Sequence, residues 1–264
     1  MFHSLYTAAT GMSAQQTNLD NIANNLSNSS TAGFRSRRIQ FQDMIYQNMA
    51  TAGAASTQQT TVAAGLQIGL GTKPGVSEVV QTPGSPSSTG NPLDLAIQGS
   101  GFFQIKLPDG QIGYTRSGSF QLDASGNVVT ADGNPLEPAI TIPAASGQNV
   151  TVGADGTVSV KLPGQTAAQQ VGVIQLAMFT NPGGLNSVGS NIMMQTTASG
   201  DAIVGTPGGS EGLGTLEQGM LEQSNVDVVE EFVNMIVAQR AYESNSRVVQ
   251  AADQMLQQLN NMNR

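Results

Sequence analysis

Few residues in this chain are placed to do chemistry. Gly208-Gly209-Ser210-Glu211-Gly212 matches the G-x-S-x-G pattern of a nucleophilic serine. That serine works on a sharp turn between a buried strand and a helix, whereas Ser210 lies in a glycine-rich stretch. The only histidine is His3, beside the N-terminus, so a Ser-His-acid triad is strongly disfavoured. Gly99-Ser100-Gly101 runs into Phe102-Phe103-Gln104 and lacks the third glycine of a dinucleotide loop, and no lysine follows in a Walker arrangement. One histidine and no cysteine leave no ordinary structural zinc site, no disulfide and no thiol chemistry. Asp109-Gly110, Asp132-Gly133 and Asp155-Gly156 recur every 23 residues, with Ser125-Gly126 between the first two. A calcium-binding repeat would need a shared nonapeptide or an Asp-x-Asp-x-Asp-Gly loop, and neither occurs. Hairpin turns needing a positive φ fit these pairs better. Glu230 and Glu231 are adjacent at the start of an expected helix, where the helix dipole accounts for them. The expectation is therefore a protein that is not an enzyme, with no catalytic, cofactor or metal site.

The elements around these residues carry more information. Near the N-terminus Leu5, Met12, Leu19 and Leu26 recur every seven residues, with Ala8, Ala9, Ile22 and Ala23 filling a three-four repeat. This predicts a helix over residues 4–28. Near the C-terminus Val228, Met235, Tyr242, Val249 and Leu256 recur likewise, joined on one face by Phe232, Ala238, Ala252 and Leu259. A second helix follows over residues 226–261, with Ser224 and Asp227 at capping-box spacing before it. At 1.5 Å per residue it would be about 50 Å long, so it needs a partner along its length.

The opposite face of the first helix is built from amides and hydroxyls: Gln15, Gln16, Thr17, Asn18, Asn21, Asn24, Asn25, Ser27 and Asn28, with Asp20 the one formal charge. Solvated helix faces normally carry lysine and glutamate. Amides tolerate burial when each donor and acceptor is paired, so both faces read as contact surfaces. The alternative is an isolated antiparallel helix pair in a monomer. Charged residues make up 11% of the chain, against about 25% in ordinary domains, which also suits a largely covered surface. The net charge of −8 disfavours nucleic acid and anionic lipid as partners. Arg35, Arg37 and Arg38 form the one basic cluster, expected to pair with acidic groups on a neighbouring subunit. No apolar run approaches the roughly 20 residues of a membrane span, and the first residues lack the basic and apolar segments of a secretory signal. Direct membrane insertion and a cleaved leader are not expected.

Between residues 94 and 204 the period changes. Leu95-Ala96-Ile97, Phe102-Phe103-Gln104-Ile105, Val128-Val129-Thr130 and Val171-Gly172-Val173-Ile174-Gln175-Leu176 are short apolar runs separated by turn residues. They read as antiparallel β structure. Residues 49–75 show neither period and read as an extended connector. The fold class is α+β, with discontinuous N- and C-terminal coiled-coil helices and a central, mainly antiparallel β domain. The expected division is residues 1–46 with 219–264 as a helical assembly domain, 47–75 as connector or insert, and 76–218 as the β domain.

Three segments resemble bacterial flagellar rod and hook proteins. DNIANNLSNSSTAGFR, residues 20–35, is similar to that family's N-terminal signature, and residues 224–259 resemble its closing helix. Residues 93–136 are similar to its β core. Ala32 stands where relatives often have proline, and Ser29 where they often have an apolar residue. The chain length and the stretch over residues 47–71 look most like the distal-rod type. The resemblance implies a structural subunit of the tubular drive shaft that transmits torque from motor to hook. It implies a basal-body location spanning the periplasm and export by the flagellar type III apparatus without a cleaved signal peptide. Implied partners are further copies of the chain in a helical homopolymer, proximal-rod and hook subunits, the surrounding ring bushing and the export apparatus. No cofactor is implied. The assembly residues would be Leu5, Met12, Leu19, Ile22, Leu26, Val228, Phe232, Met235, Tyr242, Val249, Leu256 and Leu259. The alternatives are a hook or proximal-rod subunit, or a secreted β-rich adhesin or hydrolase.

Overall fold

The structure is a computed structural model that describes residues 2–51, 55–57, 60–61, 64–143, 150–162, 167–209 and 212–262. Ser210 and Glu211 of the serine-like loop lie outside these, as do the side chains of Phe2, Leu259, Asn260 and residues 55–57 and 60–61. The chain divides into two compact units. Unit 1 holds residues 1–27, 37–78 and 227–264, and unit 2 holds residues 28–36 and 79–226.

Unit 1 contains the two long helices and a β ribbon. Helix α1 is Phe2–Ser27. Strands β1 (Arg37–Asp43), β2 (Tyr46–Ala50), β3 (Ala55–Thr57), β4 (Thr60–Thr61), β5 (Leu66–Gly69) and β6 (Thr72–Val79) follow, and helix α2 is Val228–Met262. The ribbon pairs β1 with β6, β2 with β5 and β3 with β4. The described residues of the expected connector thus include paired β strands: Tyr46 lies opposite Gly69 and Gln47 opposite Ile68. Its uncharged, Thr- and Gln-containing backbone satisfies its own donors and acceptors by pairing across the ribbon. α2 starts two residues later than the spacing predicts. Asp227, not Ser224, caps it, its Oδ1 accepting from the Val229 and Glu230 amides at 2.9 and 3.2 Å. The Ser224 hydroxyl accepts instead from the Val226 amide. A carboxylate at that position also complements the helix dipole.

Unit 2 is built from β7 (Pro86–Ser88), β8 (Leu95–Gln98), β9 (Phe102–Lys106), β10 (Ile112–Thr115), β11 (Phe120–Leu122), β12 (Val128–Thr130), β13 (Val150–Val152) and β14 (Thr157–Val160). It continues through β15 (Gln169–Val173), β16 (Leu176–Met178), β17 (Asn186–Gly189), β18 (Ile192–Met194), β19 (Ile203–Gly205), β20 (Thr215–Gln218) and β21 (Met220–Glu222). The largest sheet has the order β17-β18-β10-β9-β16-β19 and is antiparallel at every pairing. Alternation along its strands makes two cores. Phe103, Ile105 and Leu176 join Leu95, Phe120, Leu136, Ile140, Val158 and Ile174 on one face. Phe102, Tyr114, Ala177, Phe179 and Leu185 cluster on the other.

The run Val171–Leu176 is not one strand. It breaks at Ile174, whose amide donates to the Gly156 carbonyl while its side chain enters the first core, and the chain there leaves β15 for β16 in a different sheet. The Asp-Gly pairs and Ser125-Gly126 do form hairpin turns, and all four share one geometry. In each, the glycine has φ of 81 to 83° and its amide donates to the carbonyl three residues back, and that same residue's amide donates to the carbonyl of the residue after the glycine. This is the three-residue loop in which a type I turn is followed by a left-handed glycine.

Candidate functional site

Two features in the described residues exceed what a packed fold requires. The first is the surface of α2. In unit 1 the helices run antiparallel, because Asn25 meets Glu231 and Gly11 lies against Asn245. Among the described residues, the buried residues of the two helices are Ala8, Ala14, Ile22 and Asn25 on α1, and Ala238 and Ala252 on α2. The amide face of α1 is used inside the chain, for Asn21 and Asn25 both donate to the Arg37 carbonyl at 2.7 and 2.9 Å. Asn25 also accepts from the Arg37 amide. That pairing satisfies a buried amide whose loss of water would otherwise be costly.

The expected stripe residues fall into three groups. Ile22 is buried, while Leu5, Met12, Leu19, Leu26, Met235, Val249 and Leu256 are half-buried. Val228, Phe232 and Tyr242 are exposed, and the side chain of Leu259 is outside the described ones. Sequence reasoning missed a further group. Val229, Val233, Ile236 and Val237 join Phe232 in the first turns of α2 with side chains between 49% and 72% exposed. They repeat at three- and four-residue spacing, so they form one apolar face. Residues of this size seldom stand together in water without a partner. The signal was present as the near-continuous apolar run VVEEFVNMIV, which a strict seven-residue count passes over.

The second feature is a buried charge cluster in unit 2. Arg116 is 1% exposed and Glu222 is 4% exposed. The Arg116 guanidinium donates from Nε to Glu222 Oε2 at 2.5 Å, from Nη1 to the Gly101 carbonyl, and from Nη2 to the Ile97 and Gly99 carbonyls. Arg35 Nη2 donates to Glu222 Oε1 at 3.2 Å, and its Nη1 donates to the Gln81 carbonyl. Glu222 Oε1 also accepts from the Gly84 amide. Burial and the neighbouring Arg116 cation pull the Arg35 guanidinium below its ordinary range, with Glu222 opposing them. The expectation that the arginine cluster would pair outside the chain is therefore corrected at two positions: Arg35 pairs with Glu222, and Arg38 pairs with Glu78 within unit 1. Both acids are brought to the arginines by strand pairing far along the chain, which spacing does not show.

The segment carrying Arg35 is held in unit 2 by backbone groups as well. Gly33 donates to the Glu222 carbonyl, Asn191 donates to Ala32 and Asn225 accepts from the Ser36 amide. Asn225 also donates to the Val80 and Thr82 carbonyls. Arg116, Glu222 and Asn225 were not singled out from sequence. The available signal was that Arg116 is the only charge in residues 110–122.

These arrangements suit contact and mechanical fixation, and likeness to known proteins agrees. A model described as flagella basal body rod protein matches residues 5–35, the flagellar hook protein FlgE/F/G D1 domain matches residues 96–160, and the flagellar basal body rod FlgEFG protein C-terminal model matches residues 217–262. The flagellar basal-body rod protein FlgG of Buchnera aphidicola (subsp. Acyrthosiphon pisum) is 48% identical over 99% of this chain and all of its own. This chain belongs to the flagellar basal-body rod protein family. Its rod-family relatives include FlgG of Borreliella burgdorferi, 46% identical over the full length of both chains, and FlgG of Bacillus subtilis, 40% identical over the full length of both. The matched segments cover most of α1 with the following loop, β9 to β14 with most of β8, and the end of β20 through α2, so the apolar helix face and Arg35, Arg116 and Glu222 all lie within matched stretches.

Proposed function

We propose that this chain is the structural subunit of the flagellar distal rod, polymerising into the shaft that transmits torque from motor to hook, and that it performs no catalysis. The observation that carries this reading is the full-length identity to FlgG rod proteins. The exposed apolar face of α2 supports it, because a polymer supplies the second copy that covers such a face. The assembly residues are the half-buried stripe Leu5, Met12, Leu19, Leu26, Met235, Val249 and Leu256 together with the exposed Val228, Phe232 and Tyr242. Its neighbours are further copies, proximal-rod and hook subunits and the ring bushing around the shaft. It reaches the periplasm-spanning basal body through the flagellar export apparatus. Electron microscopy of basal bodies from a strain lacking the gene tests this. A missing or truncated distal rod is expected. An intact basal body lacking only its hook would reassign the chain within the family, and an intact flagellum would remove the reading.

A further inference from the structure

Unit 2 is closed by segments from its two ends. β20 and β21, the last strands, pair with β8 and β7, and Leu213 and Leu216 add to the core. The loop at residues 28–36 brings Arg35 from the other end. Between them Arg116 is fixed by β10 and the turn after β8. Its Nη atoms are satisfied by three carbonyls, but carbonyls do not neutralise its charge. Among the described residues no carboxylate other than that of Glu222 pairs with Arg35 or Arg116.

We infer that Glu222 is an electrostatic latch: the β unit cannot bury Arg35 and Arg116, and so cannot complete its core, until the last strands deliver this carboxylate. Without it two like charges would be taken out of water side by side, a loss that well-packed apolar neighbours do not offset. The pairing of Leu95 with Gln218 spans nearly the whole unit, so its loop-closure entropy must be met before the contact returns anything. Left to topology alone, the earlier strands would fold first and the last strands would dock afterwards. The latch couples the two events into one. For a subunit that travels as an unfolded chain, which rests on the export reading above, this keeps the β unit open until residue 222 has emerged.

Refolding of the full chain with pulsed hydrogen exchange tests the latch and depends on the chain alone, so its outcome is separate from the export reading. Amides of β9 and β10 are expected to gain protection in the same phase as those of β20 and β21. A populated species with β9 and β10 protected while β20 and β21 still exchange would overturn the inference. Glu222→Gln is expected to slow folding at least about a hundredfold, and adding Arg35→Gln to that variant is expected to recover part of the rate by removing one cation. An unchanged folding rate with faster unfolding would place Glu222 outside the closing step and overturn the latch. If Glu222→Gln does not fold, the labelling of the unaltered chain decides.

Discussion

Gly33 has φ of 71°, and a Cβ on it would lie 2.6 Å from the Ser117 amide nitrogen. Backbone cannot yield as a side chain does, and the conformation itself is strained for any other residue. Gly33→Ala is expected to destabilise unit 2 by about 3 kcal/mol, measured by denaturant unfolding followed by circular dichroism; a change below about 0.5 kcal/mol would contradict the seating of this loop. A second expectation concerns pH. The Asp123 carboxylate is held below its usual range by hydrogen bonds from Asn127, and Asp155 by those from Thr157. A lowered folded-state value means each group favours the folded state above the ordinary carboxylate value of about 4 and loses that contribution as pH falls through the folded value. The pair Asp123→Asn and Asp155→Asn is therefore expected to flatten the acid limb of a melting-temperature profile between about pH 2 and 6, with the unaltered chain the more stable above that range. Unchanged acid sensitivity would contradict the turn hydrogen bonds as its cause. These turns were legible in sequence because the glycine requirement is local. The Arg35, Arg116 and Glu222 cluster was not, because its members meet only through strand pairing at long range.

At the scale of elements, both helices were legible because a three-four repeat of apolar residues sustained over many turns matches the period of a helix and not that of a strand. The detail of their packing was legible in part: the repeats include Ala8, Ala238 and Ala252, which are buried, but not the buried Ala14, and the leucines and methionines at sevenfold spacing are only half-buried. In the β unit, period-two runs placed β8, β9 and β12, but the break between β15 and β16 depends on which sheet each half joins. The connector hid its strands because Ala, Thr, Gln and Gly make a weak alternation signal. An isolated two-stranded ribbon is marginal in water, and Ile45, Tyr46, Met49 and Leu66 leave apolar surface on this one. Wedged between neighbouring subunits, it would resist the sliding that lets a tube bend. Deleting residues 50–64 spares both helices, and the expected product is a polymer that still forms but is curved or flexible by electron microscopy. Straight rods of unchanged stiffness would reduce the ribbon to a tether.

At the scale of the whole molecule, the low charge content and the apolar first turns of α2 point the same way: this chain is finished by its neighbours. Family membership and the identity to rod proteins along the whole chain agree with that conclusion, and the buried face of the assembled shaft is where it can be measured. The sequence contains no cysteine, so a single introduced thiol reports one position. Val233→Cys and Val237→Cys, at two exposed apolar sites on α2, and Gln257→Cys, at an exposed polar site near the end of the same helix, are treated with a maleimide as monomers and again as assembled rods. All three are expected to react in the monomer, and the thiols at 233 and 237 are expected to become protected in rods. Equal labelling at 233 and 237 before and after assembly would show that the apolar face of α2 stays in water, and would contradict its role in building the shaft.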